Sequence, residues 1–237
     1  MKKIIVMILT LSMLCLSLVP SICAASEISY IDVDALTDDQ LDELLMNHVD
    51  QRSSMAKSMG LNYTVNSNPP CLAHSDSSDD ADPVKTATLL TGRTVTEDGM
   101  IESYVTIAAD YQDTREESDS QSTQSLTTYV YIYYDYKFEN NYQIAHTRFN
   151  KAQHKMVVHS SSVSATSMRM KHDAWGVVSM QDNSRDETIG SPVSGRVYTR
   201  YAENPTWWSI STATYEALTT GYTSDGGIAT ASLSFFR

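Results

Sequence analysis

Cysteine is nearly missing from this chain. Three occur in 237 residues, Cys15, Cys23 and Cys71, and the first two fall in a stretch that reads as a leader to be removed. Cys71 would then stand alone, so an internal disulfide is excluded and the fold must rest on its hydrophobic core. Cys71 follows Pro69-Pro70 in a polar stretch with no basic neighbour to lower its pKa, and is read as an idle loop residue. Glycine is scarce as well, at 9 residues. No glycine-rich phosphate-binding loop is present, which removes the commonest nucleotide-binding design. Positive charge is the third shortage: 17 Lys and Arg stand against 29 Asp and Glu. A surface this negative repels nucleic acid and anionic lipid, so neither is expected as a partner.

What is present begins with Met1-Lys2-Lys3, then an almost wholly apolar run from Ile4 to Leu18, the break Pro20-Ser21 and the small-residue site Cys23-Ala24-Ala25. That is the pattern of a secretory signal peptide cut near Ala25, and the run is too short for a comfortable membrane span. The sequence therefore predicts an exported, extracellular protein that meets a membrane only in transit. Without Lys2 and Lys3 the basic residues number 15, and the net charge becomes −14.

One helix is marked from Asp38 to about Met59. Thr37 with Gln40 forms a capping box, Leu36 and Leu41 a hydrophobic staple, and Asp38, Asp39, Asp42 and Glu43 crowd the positive end of the dipole. Leu41, Leu44, Leu45, His48 and Val49 make one apolar stripe. Residues 66–83 hold three prolines, several serines and the run Asp76 to Asp82, with no apolar period. Their composition predicts a polar linker.

From Val84 onward the text alternates. Expected strands are Val84–Val95, Met100–Ala109, Leu126–Phe138, Tyr142–Phe149, Lys155–Met170, Trp175–Met180, Gly195–Ala202, Trp207–Leu218 and Gly227–Phe236, with hairpin signals at Asp98-Gly99 and Asp225-Gly226-Gly227. Residues 112–125 are expected to be a long polar loop. Leu126–Phe138 is the clearest strand: its even-numbered residues should face one way and its odd-numbered residues the other. Fourteen tyrosines, against 4 Phe and 3 Trp, suit half-buried pleated surfaces. The fold class expected is mainly β, an antiparallel two-sheet β-sandwich with one N-terminal α-helix. The expected division is 1–25 signal peptide, 26–61 N-terminal amphipathic helical segment, 62–83 polar linker and 84–237 β-sandwich domain.

Candidate chemistry is thin. The acids of Asp76 to Asp82 lack the alternation, the central Gly and the twelfth-position Glu of an EF-hand loop. His146, His154, His159 and His172 match no zinc spacing, so no metal is expected. Gly190-Ser191-Pro192-Val193-Ser194-Gly195 is not a nucleophile elbow, its spacing being wrong and a proline lying beside the serine, and it reads as a turn. Cys71 and His74 are too close in a proline-led loop to make a preorganised dyad. No catalytic residue and no cofactor is assigned.

Weak candidates for ligand binding remain. Tyr129, Tyr131 and Tyr133 project from one side of one strand, roughly 7 Å apart, and can stack on sugar rings or receive a peptide. The competing expectation is that they pack beneath the N-terminal helix or the second sheet. Of Trp207 and Trp208 one ring must point each way, one into the core and one outward. The leading functional expectation is a non-enzymatic extracellular binding protein for an unidentified protein or glycan. The alternative is a secreted antimicrobial or toxin precursor, with Ser26 to about Pro83 as a pro-region masking the β-domain until the linker is cut. A third is a secreted hydrolase with unassigned carboxylates.

Overall fold

The computed structural model describes residues 30, 32–46, 85–97, 99–114, 123–139, 144–176 and 183–235. Two antiparallel sheets and one helix make a β-sandwich with an N-terminal helix. A 3-10 turn, Val33–Ala35, leads into helix α1, Asp38–Met46. The strands are β1 (Lys85–Thr96), β2 (Gly99–Thr114), β3 (Thr123–Phe138), β4 (Ile144–Val158), β5 (Ala165–Gly176), β6 (Arg185–Gly190), β7 (Val197–Tyr201), β8 (Trp208–Ser209), β9 (Ala213–Thr223) and β10 (Ile228–Phe235). Sheet A runs β1-β2-β3-β4-β7, with β8 paired to β4, and sheet B runs β10-β9-β5-β6.

The capping box forms as expected. The Gln40 amide donates to Thr37 Oγ1 at 3.3 Å, and the Thr37 amide donates to Gln40 Oε1 at 3.0 Å. The rest of the expected helix, residues 47–59, lies outside the described residues, as do the linker 66–83 and the leader. At the β1–β2 hairpin, Gly99 has φ 147°, and a Cβ there would sit 2.0 Å from the Phe138 carbonyl oxygen. Only glycine lets the hairpin close against the end of β3.

β3 is the central strand of sheet A and is buried on both faces. Its even face looks into the sandwich. There Tyr134 meets Tyr104 (ring centroids 5.9 Å), Tyr136 (5.2 Å), Tyr215 (6.3 Å) and Phe235 (5.2 Å). Tyr215 extends this aromatic cluster to Phe149 and Trp208. At the other end of the interior the residues are smaller or more pliable: Met156, Met168, Met170 and Ala229 pack with Leu126. Edge strand β10 is sealed by side chains of the opposite sheet. The Thr230 amide donates to Asp110 Oδ2 at 2.5 Å, and the Ala231 amide to Thr128 Oγ1 at 3.1 Å. The Thr230 amide faces away from β9, so an otherwise spare amide of the edge strand is satisfied at that point. On the opposite side, Arg200 of β7 pairs with Glu187 of β6 at 2.6 Å and ties the two sheets together.

Several expected strand boundaries are corrected: Ile144–Phe149 and Lys155–Val158 belong to one strand, β4, and Trp175 lies near the end of β5 and does not open a strand of its own. Lys155–Met170 is two strands, because β4 ends at Val158 and β5 starts at Ala165. Between them the Ser160 hydroxyl oxygen accepts the Ser162 amide, and the Val163 amide donates to the Ser160 carbonyl. Serines bonding their own backbone favour a turn over a ladder. Trp207–Leu218 is likewise divided, since Thr212 bonds back to the Ser209 carbonyl through both its amide and its hydroxyl. β6 was not expected at all. Its sequence, RDETIG, is charged because it is an edge strand whose acids and bases pair outward, as in Arg169–Asp186 at 2.6 Å. Part of the polar stretch 112–125 also belongs to strands, since β2 reaches Thr114 and β3 starts at Thr123.

Candidate functional site

The odd face of β3 carries Thr127, Tyr129, Tyr131, Tyr133 and Asp135, and it looks away from sheet B. Pairing with β4 sets Tyr129 opposite Lys155, Tyr131 opposite Gln153 and Tyr133 opposite Lys151. Pairing with β2 sets Ala109, Ile107 and Val105 on the other flank, with Ala87 and Leu89 beyond them on β1. The outcome is a floor of small and aliphatic residues bordered by three tyrosine rungs, two of which end in a lysine.

This floor is covered by the chain's own N-terminal segment. Val33, Leu41 and Leu45 form one buried cluster with Ala87, Leu89, Val105, Ile107, Ala109, Tyr129, Tyr131 and Val157. Tyr129 is 0% exposed and Tyr131 4%, while Tyr133 is half-buried. Of the two expectations for this face, its rings lie under the helix.

Polar contacts are as specific as the apolar ones. The Asp42 carboxylate accepts from the hydroxyls of Tyr111 and Tyr129, both at 2.8 Å. Asp38 takes the Lys155 ammonium. Asp34 accepts from the Tyr133 hydroxyl at 3.3 Å and lies 3.6 Å from Lys151 Nζ. The lysines also lie against the rings, Lys151 3.9 Å from the centre of Tyr133 and Lys155 5.1 Å from that of Tyr129. Burial first, and then the neighbouring carboxylates, hold the Tyr111, Tyr129 and Tyr133 phenols protonated far above the usual range. They are therefore donors at any physiological pH.

The cover is incomplete. A cleft of about 250 Å³ remains between the segment and the sheet, lined by Val33, Asp34, Leu36 and Leu41 above and by Tyr131, Gln153, Lys155, Val197 and Thr199 below. It sits over the middle rung, where no carboxylate among the described residues of the segment reaches the Tyr131 hydroxyl.

The tryptophans divide as the alternation requires. Trp208 is 3% exposed and packs on Tyr215, with ring centroids 5.9 Å apart. Trp207 is half-buried under the Arg148 guanidinium, 4.6 Å from its ring centre. Arg148 is in turn held by Asp135, whose other oxygen accepts from Ser103 at 2.7 Å. Neither tryptophan lies among the residues around the tyrosine face.

The histidines are dispersed. His159 is exposed and bonds Thr127; His146 lies 3.7 Å from Glu139. His154 and His172 are in the sandwich interior, their ring centroids 6.4 Å apart. Among the described residues no three His, Cys, Asp or Glu side chains gather as metal ligands would. Gly190 to Gly195 lies at the end of β6 and in the loop to β7, with Ser191 at φ 50°.

Sequence reasoning missed Lys151, Lys155, Asp34, Asp38 and Asp42 as members of one site. The acids carried a signal, since they stand four residues apart. That spacing was absorbed by the helix-dipole explanation of Asp38 and Asp42. No known family model matches this chain, and no curated protein sequence matches it either.

Proposed function

We propose that the protein is an exported, non-enzymatic binding protein whose ligand face is the tyrosine side of β3, kept occupied by its own N-terminal segment. The observation that supports this reading is the chemistry of the contact. Three apolar anchors, Val33, Leu41 and Leu45, do the burying, each worth about 1.5–3 kcal/mol. Leu44 adds a partly buried apolar contact, and the polar contacts of the described segment with the sheet are hydrogen bonds and ion pairs that water can replace. Such a contact resembles an interface more than a domain core. The masking segment of a secreted precursor would have the same design, and the polar composition of residues 62–83 offers a place for a protease to act. The leader-like first 25 residues support export.

The test is to place a specific protease site within residues 76–82 of the full chain and compare cut with uncut protein on peptide and glycan arrays. The expected result is binding after the cut and little before it. In cut protein carrying Tyr129→Ser, Tyr131→Ser and Tyr133→Ser, binding should fall at least tenfold. Equal binding before and after the cut, unaffected by the triple substitution, would remove the tyrosine face as the site.

A further inference from the structure

We infer that the partner this face is built to receive is an acidic amphipathic helix, with carboxylates that meet the tyrosine–lysine rungs and leucines that meet the floor between them. The inference rests on the reading that the face is a binding site, and it adds the chemistry of the occupant. Lys155 decides the matter. Its side chain is 8% exposed, and the charge partner it has is Asp38. A buried ammonium without a counter-charge is costly, so a neutral or basic segment seated here would leave that penalty uncompensated. Lys151 sets the same condition less strictly, at 18% exposure. The Tyr129 and Tyr111 hydroxyls converge on the single oxygen Asp42 Oδ1. Two donors aimed at one point select an anionic acceptor over an amide or hydroxyl, because hydrogen bonds to a charged oxygen are roughly twice as strong.

The apolar half of the recognition is set by spacing. Leu41 and Leu45 stand one turn apart on α1 and both enter the floor formed by Ala87, Leu89, Val105 and Ile107. Asp38 and Asp42 stand one turn apart on the adjoining flank, so one helix face supplies both chemistries. This is the helix-in-groove mode of peptide recognition, with an aromatic and cationic rim added. A second copy of this chain is a weaker competitor. The covering segment is joined to its own sheet through residues 47–84, so its competition with any free helix is intramolecular. A foreign helix must therefore either bind more tightly or arrive after the tether is cut.

The experiment uses the full chain, folded and then cut at a specific site introduced within residues 76–82. A fluorescent peptide of residues 30–59 is added, and incorporation is followed by anisotropy with and without excess unlabelled peptide. Exchange of the wild-type peptide is expected, with the Asp38→Asn, Asp42→Asn peptide at least tenfold weaker. A charge swap supplies the second arm: Lys155→Glu protein should reject the wild-type peptide and regain binding for an Asp38→Lys peptide. Exchange of wild-type and double-Asn peptides with equal affinity overturns the acidic-helix inference while leaving the face a binding site. Failure of any peptide to exchange over days, with the cut segment still bound, overturns the underlying reading as well.

Discussion

Replacing Tyr134 with alanine should lower the unfolding free energy by about 3–5 kcal/mol, the range for emptying a buried aromatic site. Tyr134 is 1% exposed and touches four other rings, Tyr104 and Tyr136 within its own sheet and Tyr215 and Phe235 in the opposite one. Its loss opens a void that neighbours on two sheets would have to fill together. For a domain of this size each kcal/mol moves the midpoint by roughly 2–4 °C, so thermal unfolding should shift down by roughly 6–20 °C. Tyr134→Phe keeps the ring and loses the contact between the hydroxyl and Thr106, 3.1 Å long, so about 1 kcal/mol is expected from that bond. The informative control is Tyr133→Ala, one residue away and on the opposite face. Its ring is half-buried against Asp34 and Lys151, and its removal should cost well under half as much as Tyr134→Ala. Equal losses at 133 and 134 would mean that the two faces of β3 are not assigned as described.

Acid should destabilise the fold through His154. This ring is fully buried between the sheets. The Thr219 hydroxyl donates to the Tyr129 carbonyl at 2.9 Å, so it can only accept from His154, whose Nδ1 lies 2.9 Å away and carries the proton. Nε2 is buried and has no protein partner. Burial, followed by the neighbouring His172 and Arg200, pushes the His154 pKa down to about 3. The ring thus stays neutral in the fold, whereas in the unfolded chain it takes a proton near pH 6.5. Between those values the unfolded state binds the extra proton. Stability is complete above pH 6.5 and falls as pH drops towards 3, by up to about 1.4 kcal/mol per pH unit.

His172, also lowered by burial, adds to the trend. Its other neighbours oppose one another: Asp173 and Glu187 favour its charge, while Arg185 and Arg200 disfavour it. Urea unfolding at pH 7.5 and pH 4.5 should differ by about 2 kcal/mol or more in the native chain. His154→Phe should remove at least half of that difference. An unchanged difference would show that His154 does not stay neutral in the interior.

Much of this was legible beforehand where a single period governed the residues. β3 shows it best: thirteen alternating residues had one face assigned to each side, and both faces are where period two puts them. The capping box at Thr37 and Gln40 was readable because its two hydrogen bonds are local. The turn at Ser160 to Val163 was not, since serine and threonine fit a strand and a turn alike, and only the tertiary ladder decides. β6 escaped for a related reason. Its charges look like a loop until Arg169, Arg185 and Arg200 are seen beside Asp186 and Glu187.

The site divides in the same way. The tyrosines announced themselves, but the acids that bond them, Asp34 and Asp42, are separated from them in sequence by 69 positions or more. Lys151 and Lys155 likewise become rung partners only through the β3–β4 register. A pattern inside one segment can be read from that segment. A pair between a helix and a strand far along the chain requires the fold.

Amide hydrogen exchange of the intact chain tests the central claim, that the segment over the tyrosine face is a separable cover. Amides of residues 39–46 should exchange at least a hundredfold faster than those of β3 residues 128–136, with uncapping of the face independent of global unfolding. Exchange of α1 and β3 at one common rate, under every denaturant concentration tried, would make the helix an inseparable part of the core and contradict the account.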